Sequence, residues 1–286
     1  MKIIPLGLKL GAEVIGIDAS KPITQRRAEQ LREALQKYLV LLLRNQTLPV
    51  SEHVIFAQVF GDLGKIADTL LGLGKRKYPE DDIPDCVSVI SNIKVNNEPI
   101  GSLGDGECFW HSDSCFSDTP PSASTLYSVE IPDNGGNTAF LNMVDALETL
   151  PSDIRAQVDD LSIRHSQVYD STGTKRPEFD EASDITKNPG PTHPIVRTLP
   201  EENRQVLYLG RRLGAYIPGL TVKDSEDLLD VLWAHTIREC RTWSHQWCLG
   251  DLLVWDNRTT MHHRDSFDPS QRRRLHKVQV AGERPI

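Results

Sequence analysis

The segment Trp110-His111-Ser112-Asp113 sets an imidazole and a carboxylate two positions apart. On extended backbone, side chains at i and i+2 leave the same face, so this pair can share one metal ion. A third, neutral donor would complete a 2-His-1-carboxylate facial set, which leaves adjacent coordination positions open for a cosubstrate and O2. The candidates for that donor are His262 and His263, at the end of the segment Trp255 to His263 (WDNRTTMHH). By itself the His-x-Asp spacing is a weak signal, because two polar residues two apart occur on many surface strands.

The other chemistry-bearing residues have plainer readings. His53 and His235 fall on expected helices without partners at ligand spacing, His193 and His245 on strand segments, and His165 and His276 read as groups behind the ligands. Five cysteines, Cys86, Cys108, Cys115, Cys240 and Cys248, show no paired CxxC spacing, so neither a disulfide framework nor a structural zinc site is indicated. Cys108 and Cys115 read as small packing residues. Gly72-Leu73-Gly74-Lys75 lacks the four-residue gap and the hydroxyl of a phosphate-binding loop, and Gly101 to Gly106 does not lead into a helical pattern. Both are read as loop glycines.

These residues need elements to position them. Thr24 to Tyr38 has helical apolar spacing behind a Thr cap, and Leu39 to Leu43 is a short apolar run read as a buried strand. A second helix is expected from Ser51 to Phe60, where Gly61 ends it. Strand-like segments follow at Val87 to Ile93, Thr125 to Ile131, Thr138 to Leu141, Ile195 to Thr198, Val206 to Leu209, Arg241 to Trp247, Leu252 to Trp255 and Leu275 to Val280. Helices are expected at Met143 to Leu161 and Ser225 to Arg238. Many short strands with a few flanking helices predict a mainly β, α+β chain folded as a double-sheet jelly roll. The stretches from about Gly64 to Leu103 and from about Tyr169 to Thr192 are long and rich in Gly, Pro and charge, and are expected to border a pocket as lids.

Composition narrows the class. With 286 residues, of which 38% are hydrophobic, the chain can bury a large core, and it is read as a single domain over residues 1–286. A net charge of −8 is unfavourable for wrapping a phosphate backbone, so nucleic acid is not expected as a partner. The sequence has neither a leader-like apolar stretch at its start nor an apolar run long enough for a membrane span. A cytoplasmic protein acting on a small molecule is expected, with a homo-oligomer left open.

Several ordered blocks then carry a resemblance. They are Leu8 to Asp18 (LKLGAEVIGID), Leu41 to Gln46 (LLLRNQ), Phe60-Gly61-Asp62-Leu63, Trp110 to Phe116 (WHSDSCF) with Pro120-Pro121, and Gly135 to Phe140 (GGNTAF). His193 to Thr198 (HPIVRT), Trp255 to His262 (WDNRTTMH) and Arg272 to Lys277 (RRRLHK) complete the series. On these the chain is identified as a member of the taurine dioxygenase family of iron(II), 2-oxoglutarate-dependent enzymes, which includes alkylsulfatases and phenoxyalkanoate herbicide dioxygenases. The resemblance implies that Fe(II) is held by His111, Asp113 and His262, with His263 a neighbour. It implies that Thr138 hydrogen-bonds the 2-oxoglutarate carboxylate and that Arg273 clamps its distal end, while Trp255 is read either as a wall of the cosubstrate pocket or as a packing residue. The implied reaction couples decarboxylation of 2-oxoglutarate to succinate and CO2 with hydroxylation by O2. Related halogenases replace the carboxylate ligand by a small residue, so Asp113 favours hydroxylation.

Elementary chemistry agrees with the clamp, since a dicarboxylate that chelates metal through one end must park the other in a dry pocket, where a guanidinium suits it best. Arg273 is expected on a strand paired near His262, with Arg272 and Arg274 on the opposite, solvated side. Lys277, four positions on, returns to the face of Arg273 and stands where taurine dioxygenases place a substrate arginine. It is read as a substrate-binding residue for an anionic compound, a sulfonate, a sulfate ester, or an aryloxy or alkyl carboxylate, with the 2-oxoglutarate carboxylate as the alternative partner of its charge. Gly64-Lys65-Ile66-Ala67 stands where taurine dioxygenases carry a histidine, so taurine itself is not expected. A zinc hydrolase or a non-catalytic binding protein on the same fold are the rival readings. Arg273 with Thr138 separates the first rival, and the complete triad the second.

Overall fold

A computed structural model of the chain describes residues 1–7, 10–66, 71, 83–180, 182–238 and 242–286. Eight strands form the larger sheet: β1 (Lys2–Pro5), β2 (Ala12–Ile15), β3 (Val40–Leu43), β4 (Val87–Ser91), β7 (Ser102–Leu103), β9 (Ala123–Glu130), β16 (Leu252–Asp256) and β18 (Arg274–Val280). Their order is β1-β2-β3-β16-β9-β18-β4-β7. The smaller sheet contains β8 (Cys108–His111), β10 (Thr138–Asn142), β15 (Thr242–His245) and β17 (Thr260–Arg264), ordered β15-β10-β17-β8. Short ladders pair β5 (Lys94–Val95) with β6 (Glu98–Pro99), β11 (Ser162–Arg164) with β12 (Thr192–Pro194), and β13 (Val196–Leu199) with β14 (Arg204–Leu207). Spatial neighbours far apart in sequence are the mark of the expected jelly roll.

Side-chain alternation sorts the core into layers. Leu41, Leu43, Leu252 and Val254 pack under α1 (Gln25–Tyr38) and α2 (Val50–Ala57). Val40, Leu42, Leu253 and Trp255 point the other way, into a core shared with Phe140 of the smaller sheet. Strands covered on both faces read as continuous apolar runs, which is why Leu39 to Leu43 was legible. On the far side, Leu141 and Met261 pack under α3 (Met143–Glu148) and α5 (Val222–Thr236). The site therefore lies in the seam between the two sheets.

The structure corrects three local expectations. The helix expected over Met143 to Leu161 is broken in two, α3 and α4 (Ser152–Val158), because Pro151 disfavours helical backbone at Leu150 and caps the second helix. The second helix ends at Ala57, and a 3-10 turn, Gln58–Phe60, carries the chain to Gly61. Arg273 precedes β18 of the larger sheet, whose neighbours are β9 and β4, so it reaches the site from across the seam and not from a strand beside His262. The glycines of residues 101–106 lead into strand β8, as expected of loop glycines. Gly72 to Lys75, most of the stretch before β4, Leu8, Lys9, Cys240 and Arg241 lie outside the described residues. Among the described residues no helix is long and apolar enough to cross a membrane.

Candidate active site

His111 ends the edge strand β8, and His262 lies directly opposite it on β17. Cross-strand partners share a face, and these two rings sit with centroids 4.1 Å apart. Asp113 follows in a turn, where Ser114 adopts positive φ, so the same-face relation expected from extended backbone is delivered by a bend. Asp113 Oδ1 stands 3.9 Å from His111 Nε2 and 3.8 Å from His262 Nε2. All three donor atoms lie within 4.8 Å of one another, so one ion can reach them together. His263 points away: its Nε2 meets Glu107 Oε1 at 2.6 Å and its ring packs on Trp110.

The protonation states suit a cation. Burial pushes the His262 ring down to about 4, and burial with the neighbouring His262 charge holds His111 well below its ordinary value. Both are neutral donors at pH 7. Burial alone would raise Asp113, but the Lys277 charge and its hydrogen bond, with the two neighbouring imidazoles, outweigh it and hold the carboxyl below its usual range. His111 Nδ1 lies 2.6 Å from Phe109 O, and an N–H there directs the Nε2 lone pair toward the ligand cluster. Ser124 Oγ donates to Asp113 Oδ2 at 2.8 Å. Asn257, in the turn between β16 and β17, accepts from Asp113 N at 2.7 Å and donates to the carbonyls of Asp113 and Pro121.

The cosubstrate candidates line the same seam. Arg273 is 1% exposed, and its Nε and Nη1 have no hydrogen-bond partner. Among the described residues its side chain makes one bond, Nη2 to Gly136 O, long at 3.4 Å. Burial and the charge of Arg264 push this guanidinium down to about 9. Thr138 Oγ1 accepts from Trp247 Nε1 at 3.0 Å, leaving the Thr138 hydroxyl hydrogen free to donate. Gly136 lies so close that a Cβ there would stand 3.1 Å from Arg273 Nε, which explains a glycine at that bend. Trp255 is wholly buried against the His262 ring, with ring centroids 5.0 Å apart, in the core it shares with Phe140. Arg272 and Arg274 face outward and share Glu130, as expected from alternation.

Lys277 enters from β18 and donates to Asp113 Oδ1 at 2.9 Å. A pocket of about 90 Å³ opens beside the ligands, bordered by Ser102, Leu103, Asp170, Arg176, Arg211 and Lys277 among others. Both lid-like stretches named from sequence therefore reach the site through their described residues. Arg211 and Arg264 escaped the sequence reading. Arg211 sits on a loop segment that bridges His111, with no periodicity to mark it. Arg264 lies two positions after His262 on β17, so alternation along that strand is the signal that would have found it.

Two facing sheets define a jelly roll, and the His-Asp-His set in its seam is one that could hold a metal ion. Residues 2–279 match the family described as "Taurine catabolism dioxygenase TauD, TfdA family", and the chain belongs to it. It is 30% identical over 291 residues to pentalenolactone F synthase of Streptomyces arenae, covering 97% of this chain and 94% of that one. It is also 30% identical over 290 residues to an alpha-ketoglutarate-dependent sulfate ester dioxygenase of Pseudomonas putida, covering 99% and 90%. The solved structure of AAD-2 in complex with Mn(II) and N-oxalylglycine matches with a TM-score of 0.79 at 31% identity, covering 99% of this chain and 98% of that one. The chain is a dioxygenase dependent on 2-oxoglutarate, the same compound as alpha-ketoglutarate, and acts on a small molecule.

Proposed function

We propose that His111, Asp113 and His262 hold Fe(II), that Arg273 and Thr138 anchor 2-oxoglutarate with Trp255 behind it, and that the enzyme hydroxylates a small anionic substrate. The observation that carries this reading is Arg273. A fully buried guanidinium with unpaired Nε and Nη1 is costly unless an anion pairs with it, and a metal hydrolase has no use for such a clamp. Iron with 2-oxoglutarate and O2 would supply the oxidising chemistry, forming succinate and CO2. The chain's own residues bind, orient and exclude water. Ser124 fixes the Asp113 carboxylate, Asn257 fixes the Asp113 backbone, the Phe109 carbonyl fixes the His111 tautomer, and the small pocket limits solvent.

The substrate reading rests on charge. The chain carries −8 overall, yet its pocket presents Lys277 and Arg211 beside the ligands. Such an inversion favours an anion, whether sulfonate, sulfate ester or carboxylate. Lys277 is the residue assigned to it, with Arg211 as a second cation on the wall. A metal held at Asp113 Oδ1 would compete with Lys277 for that oxygen, leaving the ammonium to find another acceptor.

The test is an anaerobic titration with Fe(II) and 2-oxoglutarate, followed by a panel of anionic and neutral compounds read by succinate formation. A visible metal-to-ligand charge-transfer band and succinate release that depends on an anionic compound are the expected results. Absence of the band would overturn the iron and cosubstrate assignment.

A further inference from the structure

Arg264 leaves β17 on the face of His262 and lies directly opposite Thr138 on β10. Across the other edge of β17 its register partner is Cys108. It is 5% exposed, and its Nε and Nη1 lack partners, the same two donors that Arg273 leaves unsatisfied. Both guanidinium carbons lie near one ring, that of Phe267, at 5.8 Å for Arg264 and 5.7 Å for Arg273. Among the described residues, no carboxylate forms an ion pair with either arginine. Two buried like charges beside one another, each with free N–H groups, are unfavourable in a low-dielectric seam until an anion lies between them.

We propose that Arg264 is a second guanidinium for the distal carboxylate of 2-oxoglutarate, closing on it opposite Arg273. A carboxylate offers about four lone-pair sites, more than Arg273 alone fills, so a single charge-assisted N–H bond from Arg264 has a place on it. Arg264 Nη2 is already committed to the carbonyls of Leu103 and Gly106, which fixes the plane of the guanidinium and with it the directions of its free Nε and Nη1 donors. The same bonds tie residues 103–106 to the cosubstrate pocket, so that gripping the carboxylate also secures the segment leading into β8 and His111. This inference rests on the dioxygenase reading above and adds a residue to it.

The rival role for Arg264 is a strut that only braces residues 103–106, and a comparison of two ligands separates the roles. Anaerobic calorimetry with the Fe(II)-loaded protein would measure binding of 2-oxoglutarate and of 2-oxopentanoate, which has the same chain and chelating end but a methyl group in place of the distal carboxylate. Arg264→Gln should weaken 2-oxoglutarate by about 10- to 100-fold while changing 2-oxopentanoate less than about twofold. Arg264→Lys, which keeps the charge but loses the fixed planar donors, should fall between wild type and Gln, and serves as the variant of choice should Gln not fold. Equal losses for both ligands, or no loss for either, would overturn the proposal. Wild type that binds neither ligand would instead remove the dioxygenase reading on which it stands.

Discussion

Lys277 of the larger sheet donates to Asp113 Oδ1 at 2.9 Å, the same oxygen that faces both His111 Nε2 and His262 Nε2. Lysine and metal therefore want one lone pair. Lys277→Met should raise Mn(II) affinity of the cosubstrate-free protein several-fold, because a competing cation leaves the ligand. It should also erase any preference for acids over their neutral amides among substrates. Calorimetry and a matched acid and amide panel check the two halves. Unchanged metal affinity and unchanged preference would mean that the lysine only packs there.

The ligand assignment predicts opposite fates for adjacent histidines. His262→Ala removes one of three donors within 4.8 Å, so stoichiometric Mn(II) binding should be lost. His263→Ala removes a ring paired with Glu107 on the outer face, and metal binding should survive it. Electron paramagnetic resonance of bound Mn(II) reads both. The reverse pattern would move the ligand to His263.

Much of this site was legible because its parts are local in sequence. His111 and Asp113 are two apart, and His262 lies in a block whose Trp255 and Asn257 keep fixed spacing from it. Strand β17 was not marked as a strand, since its polar residues Thr260, His262 and Arg264 point into the seam and mask the apolar alternation that usually reveals one. Arg273 was read correctly as inward-facing but placed on the wrong sheet: alternation gives a side chain's face, whereas sheet membership depends on distant pairings. Arg211 reaches His111 only through the fold.

Arg273→Ala should raise the dissociation constant for 2-oxoglutarate by at least about 100-fold, the scale of roughly 3 to 5 kcal/mol for stranding a buried charge. Metal affinity should hardly change, since Arg273 touches none of the three ligands. Titration by the charge-transfer band at varied 2-oxoglutarate measures the first, and Mn(II) calorimetry the second. An unaltered 2-oxoglutarate requirement would remove Arg273 from the cosubstrate site.

His53, on α2, is fully buried with its Nε2 2.8 Å from Thr125 Oγ1, and burial, followed by the charge of His276, pushes it down to about 3. Burial likewise pushes His276 down to about 4. The unfolded chain binds these protons below about pH 6.5, whereas the fold refuses them until far lower pH. Stability should thus be full above pH 6.5 and decline as pH falls, by up to about 1.4 kcal/mol per unit for each such histidine. Urea denaturation from pH 7.5 to 5 reads the slope, and His53→Gln should reduce it by about one proton. A slope that His53→Gln leaves untouched would assign the acid sensitivity elsewhere.

Asn257 shows how the carboxylate ligand is held without touching a metal. Its amide is 1% exposed and bonds the backbone N–H of Asp113 and the carbonyls of Asp113 and Pro121, stitching the turn after β8 to the turn before β17. Asn257→Ala strands three buried backbone groups, so a destabilisation of about 2 to 4 kcal/mol is expected from denaturation. Because the Asp113 turn loses its tether while all three ligands remain, Mn(II) affinity should drop by about 10- to 100-fold, the usual scale for groups that orient ligands. Asn257→Asp cannot donate to the two carbonyls but still accepts from Asp113 N, and should lie between the two. If Asn257→Ala lost stability but kept full metal affinity, Asn257 would hold the fold without orienting the ligand.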